Sequence, residues 1–439
     1  METRIILSVL FISFSLITTG ENPVIRGIGM SDPHVRVFKD TIYLFSGHDD
    51  SPEDKTWVMK DWYVFSTTDL IHWKQETTIS PKDNYMGEGS TDCWAGDAAT
   101  RNGKYFFYFS DRKRSIGVMT SDSPGGRYID AIGKPLVAPM HDPTILVDDD
   151  KDKTAYLVYG DKEGGGYNIA RLNEDMISLA ELPKHLVING EEWQKAPGWL
   201  DKNYIFKHNG TYYLTWGSDY AISKNIYGPY QCVGAVGSGH HLDGFAHGSF
   251  FWWKGQFYHI WTYYLRPGFK YRECIITYCH FSDDGRIVND TGFLDQHYSA
   301  GVGQFDASWP EIQAEWFTEK SEGIKKQGTR ETGFKLGNLA DGSWVKFANM
   351  DFGDKNKEQK FEASLSAISG IGTIEIRLDS LKGKVLGTVS VSSVKGIGSA
   401  VPAACQIGRV TGKKDVYLLF SIKKVGSFNI DSFRFISEK

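Results

Sequence analysis

The sequence has little cysteine, and its thiols form no recognisable pattern. No Cys-x-x-Cys pair occurs, and the five cysteines are widely spaced: Cys93, Cys232, Cys274, Cys279 and Cys405. Such scattered thiols argue against a zinc site and against a dense disulfide framework. We therefore expect buried structural thiols.

Long apolar runs are also lacking. The longest covers residues 5–19, directly after Arg4, and is shorter than the roughly 20 residues that span a bilayer. It predicts a secretory signal peptide over residues 1–20 with cleavage near Gly20, and hence a secreted or periplasmic protein without a membrane span. Glu2 weakens the basic start of such a signal, so a buried strand of the mature fold is the alternative.

The chain has no excess of basic charge. Its 49 basic and 54 acidic residues give a net charge of -5, and the two signs are mixed along the sequence. This mixture lacks the basic patch that nucleic-acid binding needs, so we exclude nucleic acid as a partner.

Aromatic residues and glycine are abundant instead. Aromatics make up 14% of the chain and glycine occurs 47 times. This pairing is typical of many-stranded sheets with tight turns, and flat rings also bind the apolar faces of sugars. Composition alone does not separate these two causes.

An aromatic strand that follows a short polar turn recurs five times. The strands are 41–46, 104–110, 154–160, 211–218 and 256–261. The turns are Lys39-Asp40, Asn102-Gly103, 150–153, Asn209-Gly210 and Lys254-Gly255. Each unit continues into further strands, and radial repetition hides the sheet edges that such units would expose. The pattern predicts an all-β fold with a five-bladed β-propeller over residues 22–303.

A second module follows the repeats. From residue 311 to 439, short strands alternate at the spacing of a β-sandwich of the jelly-roll type. We expect the protein to be a monomer.

Two blades open with the same dipeptide. Asp32 and Asp142 each precede a proline and then an apolar strand. Asp-Pro is a common turn dipeptide, but two copies at equivalent positions of a propeller would converge on its central funnel. We therefore treat both as candidate catalytic carboxylates.

The segments SDPHV, CWAGDAATRNGKYFFYFS, HDPTILVDDD, YIFKHNGTYYLTW and FAHGSFFWWKGQFY together resemble glycoside hydrolase family 43, the inverting five-bladed propellers. The resemblance implies that Asp32 is the general base and that Asp142 orients the acid and raises its pKa. It also implies that His247 holds a water or a calcium ion and that Arg272 contacts the sugar.

The general acid departs from the family pattern. The family places a Glu six residues before the Lys of its K-x-N-G turn, and counting back from Lys207 reaches Asp201 instead. Three accounts remain open: Asp201 is the acid, Glu191 or Glu192 supplies the proton, or acid function is lost. An inverting glycosidase needs an acid and a base about 6.5 to 9.5 Å apart, with a water beside the base.

Several aromatic residues are candidates for the walls of a sugar site. For any single one of them, packing in the core is the favoured alternative. They are Trp94, Trp199, Tyr204 and Trp309.

The C-terminal module resembles carbohydrate-binding module family 6 through DGSWV (341–345), GTIEIRLDS (372–380) and FNID (428–431). The resemblance implies that Gln313, Glu315 and Asp431 bind a structural calcium and that Asn429 contacts sugar. The family's stacking tryptophan has no counterpart in residues 402–407. The module is therefore either a sugar binder or a degenerate, structural domain.

Together these features predict an exo-acting glycoside hydrolase for oligo- or polysaccharides, an α-L-arabinofuranosidase or a β-xylosidase of plant polysaccharide side chains. The alternatives are a catalytically inactive sugar-binding propeller and a related activity such as an exo-galactosidase or an arabinanase.

Overall fold

The computed structural model describes residues 17–19, 22–161, 165–190, 203–217, 219–236, 247–354, 359–366, 369, 371–392, 400–423 and 428–437. In this part of the chain, two short 3-10 helices, Pro81–Asp83 and Ala314–Trp316, and one α-helix, α1 (Thr291–His297), accompany the strands. No described helix is long and apolar enough to cross a membrane.

Five antiparallel or mixed sheets follow one another along residues 17–289, and each forms one blade. Blade I contains β1 (Ile17–Thr19), β2 (Met30–Phe38), β3 (Thr41–Asp49), β4 (Met59–Thr67) and β5 (His72–Ile79). Blade II contains β6 (Cys93–Arg101), β7 (Lys104–Asp111), β8 (Ser115–Ser121) and β9 (Ile129–Asp130). Blade III contains β10 (Met140–Val147), β11 (Ala155–Asp161), β12 (Tyr167–Arg171) and β13 (Lys184–His185). Blade IV contains β14 (Ile188–Asn189), β15 (Asn203–His208), β16 (Thr211–Trp216), β17 (Asp219–Ser223) and β18 (Tyr230–Ala235). Blade V contains β19 (Gly248–Trp253), β20 (Gln256–Tyr264), β21 (Arg272–Phe281) and β22 (Ile287–Asn289).

The inner strands close a ring. Strand β2 contacts β6, β6 contacts β10, β10 contacts β15, β15 contacts β19, and β19 contacts β2 again. This closure packs the described inner strand of each blade against those of its neighbours, which protects sheet edges in a propeller. The predicted five-bladed propeller is confirmed.

The predicted hairpin turns lie between the inner strand of each blade (β2, β6, β10, β15 and β19) and the strand that follows it. Asn102, Asn209 and Lys254 have φ values of 51°, 47° and 51°, and the glycine after each also has a positive φ. Two successive left-handed residues match the twist of the flanking strands in a hairpin. The turn chemistry therefore explains where each aromatic strand begins.

The C-terminal module is a sandwich of two sheets. One sheet contains β23 (Phe305–Asp306), β25 (Glu319–Lys320), β28 (Trp344–Asp351), β30 (Gly372–Leu378), β31 (Val385–Val391) and β33 (Lys413–Ile422). The other contains β24 (Ile312–Gln313), β26 (Lys325–Thr329), β27 (Gly333–Gly337), β29 (Gln359–Ser366), β32 (Val401–Ile407) and β34 (Asn429–Ser437). The predicted β-sandwich is confirmed. Strand β1 lies within the expected signal peptide and pairs with β5.

A buried polar junction joins the module to blade V. The Gln256 side-chain amide donates to the carbonyl oxygens of Glu315 and Phe317 at 2.8 and 2.7 Å. The Trp316 indole N–H donates to Asp290, the N-cap of α1, at 2.6 Å. The Lys326 ammonium donates to the Cys279 carbonyl at 3.0 Å. One hydrophobic core continues across these contacts from blades I and V into the module.

Candidate active site

Asp32 and Asp142 occupy the same strained position in their blades. Their φ values are 50° and 51°, in the left-handed region that residues other than glycine seldom adopt. Asp32 lies where the register between β2 and β3 shifts, and Asp142 lies where the register between β10 and β11 shifts. A bulge of this kind re-aims side chains. The Asp32 N–H donates to Thr262 Oγ1 at 2.9 Å and the Asp142 N–H donates to Ser110 Oγ at 2.6 Å.

Both carboxylates are buried, with 6% and 5% of their surfaces exposed. They belong to strands β2 and β10, which flank the same inner strand, β6. The repeated Asp-Pro sequence therefore marks a repeated structural feature rather than an ordinary surface turn.

Arg272 binds two buried carboxylates at once. Its Nη1 donates to Asp32 Oδ1 at 2.8 Å, while Nε and Nη2 donate to the two carboxylate oxygens of Asp49 at 2.8 Å each. The Arg272 backbone N–H adds a third bond to Asp49 at 2.9 Å. A planar guanidinium with two edges suits such a double grip, which lysine could not reproduce.

The charge on Asp32 is set by this arrangement. Burial alone would raise the pKa of Asp32, but Arg272 and the nearby His247 bring the pKa well below its usual range. His247 Nδ1 lies 3.5 Å from Asp32 Oδ1. Asp32 is therefore ionised at neutral pH, the state that a general base requires.

The buried His34 ring lies close to this base, with Nδ1 3.4 Å from the Asp32 carbonyl oxygen. This ring lies 4.9 Å from the His247 ring and 5.6 Å from the Tyr204 ring. Burial lowers the pKa of His34 to about 4, against the opposing pull of Asp97. The His34 ring is consequently neutral at pH 7.

Asp97 joins three strands and was not singled out from the sequence. It accepts hydrogen bonds from Arg36 on β2, with Nε 2.8 Å from Oδ1, and from the Ile145 N–H and Thr144 hydroxyl on β10 at 2.8 and 3.1 Å. Burial would raise the pKa of Asp97, but Arg36 lowers it. This carboxylate therefore ties the strand of Asp32 to the strand of Asp142. Neither Asp97 nor Asp49 carries a local sequence signal that sets it apart from other acidic residues.

The predicted aromatic residues lie in different places. Trp94 is partly exposed, and its ring lies 6.2 Å from Trp57, whose ring covers the Arg272 guanidinium at 4.4 Å. Tyr204 is 2% exposed and donates to the Phe250 carbonyl at 2.8 Å, so its ring packs beneath His34. Trp309 stacks on His297 of α1 at 3.5 Å, at the domain junction. Sequence reasoning missed Trp57.

Four of the predicted residues lie outside the described residues: Glu191, Glu192, Trp199 and Asp201. The identity of the general acid therefore stays a prediction.

The module's predicted residues lie on two neighbouring elements. Gln313 ends β24 and faces Ser432 of β34, one residue from Asp431. Glu315 follows in the 3-10 helix and is 4% exposed, and Asn429 begins β34. Among the described residues no group of three or more His, Cys, Asp or Glu side chains could hold a metal ion.

Comparison with known proteins places this geometry in a family. A model of "Glycosyl hydrolases family 43" matches residues 20–287, and a model of "Carbohydrate binding module (family 6)" matches residues 313–437. The chain is 26% identical to an arabinoxylan arabinofuranohydrolase of Paenibacillus polymyxa, covering 94% of this chain and 74% of the relative. It is also 26% identical to an arabinoxylan arabinofuranohydrolase of Bacillus subtilis, covering 94% of this chain and 92% of the relative.

Solved structures agree on the fold. The crystal structure of a family 43 arabinoxylan arabinofuranohydrolase from Bacillus subtilis in complex with cellotetraose covers 96% of this chain and 99% of its own, with 24% identity and a TM-score of 0.55. A family 43 enzyme from Xanthomonas citri complexed with xylose covers 62% of this chain and 93% of its own, with 25% identity and a TM-score of 0.54. The chain is a glycoside hydrolase that belongs to family 43, and its C-terminal module matches the model of carbohydrate-binding module family 6.

Proposed function

We propose that this protein releases single α-L-arabinofuranosyl or β-xylosyl residues from xylan side chains, with inversion of configuration. The observation that carries the proposal is the buried, ionised Asp32 held by Arg272 and His247. Relatives named for arabinoxylan align with both domains of this chain, and other relatives are named for xylosidase and arabinosidase activity, which supports the substrate class.

In the proposed reaction, Asp32 holds the attacking water and takes its proton. Its Oδ1 is occupied by Arg272, so Oδ2 is the oxygen that meets the water. This oxygen lies near Gly47, where a β-carbon would come 2.4 Å from Met59 Cε, 2.8 Å from Ser31 Oγ and 3.6 Å from Oδ2. Glycine at this position therefore lets Met59 and Ser31 pack closely beside the base.

A protonated carboxyl on the opposite face would donate to the leaving oxygen. We propose Asp201 for this role and Asp142 as the residue that orients it and raises its pKa by like-charge repulsion. His247 holds Asp32 in position and contributes to water binding. The described residues beside His247 offer one carboxylate and one imidazole, unlike the six to eight oxygen ligands of calcium.

The proposal is tested with pairs of substrates that differ in leaving group. Asp32→Asn should abolish release of pentose from both nitrophenyl arabinofuranoside and arabinoxylan, because the proposed base that activates the water is lost. Asp201→Asn should abolish only the reaction of arabinoxylan, because nitrophenol leaves without protonation. NMR of the first product gives its anomeric configuration. Binding of these sugars without turnover by the unaltered protein would favour the inactive sugar-binding propeller instead.

We also propose a structural calcium ion in the C-terminal module. Glu315 Oε2 is buried and has no hydrogen-bond partner among the described residues. Burial, with repulsion from Asp290 and Asp431, raises the pKa of Glu315 well above its usual range. Gln313, Glu315 and Asp431 would hold the ion through oxygen atoms, which calcium prefers. The bound ion would balance the negative charge of the ionised Glu315 carboxylate. It would also link β24 to β34.

A further inference from the structure

An aromatic rim extends outward from Arg272. Trp57 covers the guanidinium at 4.4 Å, and the Tyr264 ring lies 6.1 Å from the Trp57 ring. The Lys270 ammonium lies over both rings, 4.5 Å from Trp57 and 5.7 Å from Tyr264. We call Trp57, Tyr264 and Lys270 the outer rim.

Contacts between two blades hold the outer rim in place. The loop 50–58 between β3 and β4 carries Trp57, and the loop 265–271 between β20 and β21 carries Lys270. The Lys270 backbone N–H donates to the Asp54 carbonyl at 2.8 Å, and the Arg266 guanidinium donates to the Pro52 carbonyl at 2.8 Å. Because the loops are bonded to each other, the rings are presented as one fixed surface.

The exposed fraction of the side chains increases from Arg272, which is bonded to Asp32, to the outer rim. Arg272 is 7% exposed, Trp57 is partly exposed and Tyr264 is 40% exposed. An exo-acting glycosidase takes the sugar that it releases next to the base. The surface that leads outward from Asp32 therefore contacts the part of the substrate that remains after this sugar is released.

We propose that the outer rim binds backbone sugars of the neutral polysaccharide that acts as the leaving group. Tyr264, which is 40% exposed, offers its ring to the apolar face of a sugar, and the Lys270 ammonium donates to sugar hydroxyl groups. Trp57 lies against the Arg272 and Lys270 cations and holds them in place. This inference rests on the proposed function, because it assigns the polymeric part of the substrate to the same site. The outer rim thereby selects a polymer over a small glycoside.

The test compares two substrates of one enzyme. For Tyr264→Ala, kcat/KM on soluble arabinoxylan should fall about tenfold more than kcat/KM on nitrophenyl arabinofuranoside. The decrease on the polymer should come from a higher KM and not from a lower kcat. Tyr264→Phe should restore most of the polymer activity because it keeps the ring. Tyr105→Ala is the matched control. Tyr105 is a partly exposed ring on β7, five register pairs along the β6–β7 ladder from Trp94, and its loss should affect the two substrates equally.

A binding measurement needs no turnover. In an Asp32→Asn background, affinity electrophoresis through arabinoxylan should show weaker retardation when Tyr264→Ala is added. Equal losses on both substrates together with unchanged retardation would overturn the rim proposal while leaving the proposed function intact. Absence of turnover by the unaltered protein would instead overturn the proposed function, and the retardation would still decide whether the outer rim binds the polymer.

Discussion

Replacing Arg272 by methionine would leave two buried carboxylates without their cation. Asp32 and Asp49 are 6% and 1% exposed, and both are bonded to the same guanidinium. Removing one partner of a buried ion pair costs about 3–5 kcal/mol. Because one arginine serves two acids, we expect Arg272→Met to lower the free energy of unfolding by about 5 kcal/mol at pH 7.

The pH dependence identifies the cause of this loss. In the unaltered protein, the pKa of Asp32 is lower in the folded state than in the unfolded state. Ionised Asp32 therefore stabilises the fold at pH values above the pKa of the unfolded state, and this stabilisation is lost as the pH falls through the pKa of the folded state. Without Arg272, burial raises the pKa of both acids, so their destabilising effect is complete at neutral pH and disappears as they become protonated. The difference between the two proteins should therefore shrink between pH 7 and pH 4.

Urea unfolding at both pH values measures the difference. Arg127→Met is the control, because Arg127 forms its ion pair with Asp83 on the surface, where it is 75% exposed, and exposed pairs contribute little. Arg272→Lys keeps the positive charge but cannot bind Asp32 and Asp49 together, so it should lower the free energy of unfolding by about 2 kcal/mol. Its stability can still be measured if the methionine variant does not fold. An Arg272→Met loss below 1 kcal/mol, or one of equal size at both pH values, would refute the reasoning.

Two further predictions concern other buried carboxylates. Asp97→Asn should lower kcat/KM at least tenfold with an unchanged circular dichroism spectrum, because Arg36 and the middle of β10 lose their shared anion. Unaltered kinetics would contradict this prediction. Chelator should lower the melting temperature of the full chain, and Glu315→Gln should abolish the chelator's effect, since a ligand that binds only the folded state stabilises it by mass action. A melting temperature that is the same with and without chelator would remove the calcium proposal.

The fold could be predicted because its signals are local. Each hairpin turn and the aromatic strand after it lie within about ten residues of sequence, and the same unit recurs five times. Strand β16 begins at Thr211 and β20 at Gln256, as the turns predict. The single α-helix among the described residues, α1, was not predicted, because seven residues carry little periodic signal.

The candidate site could be predicted only where it repeats or matches a motif. Asp32 and Asp142 stand out because the same dipeptide opens two blades, and His247 and Arg272 were named through a family resemblance. The left-handed backbone that aims both aspartates has no sequence signature of its own. It appears only when the register of the adjoining strand is known.

The partners of these residues are determined by closure of the ring. Arg272 and Asp32 are 240 positions apart, and Arg272 and Asp49 are 223 positions apart. They meet because the last blade packs against the first, which brings the start of β21 beside β2 and the end of β3. No local pattern can indicate such a pair in advance, since any of the chain's many acidic residues could serve. The pKa of the base thus depends on the completed propeller. A substitution that loosens the packing of blade V should raise the pKa of Asp32 even if it does not contact Asp32, because Arg272 would move away from it.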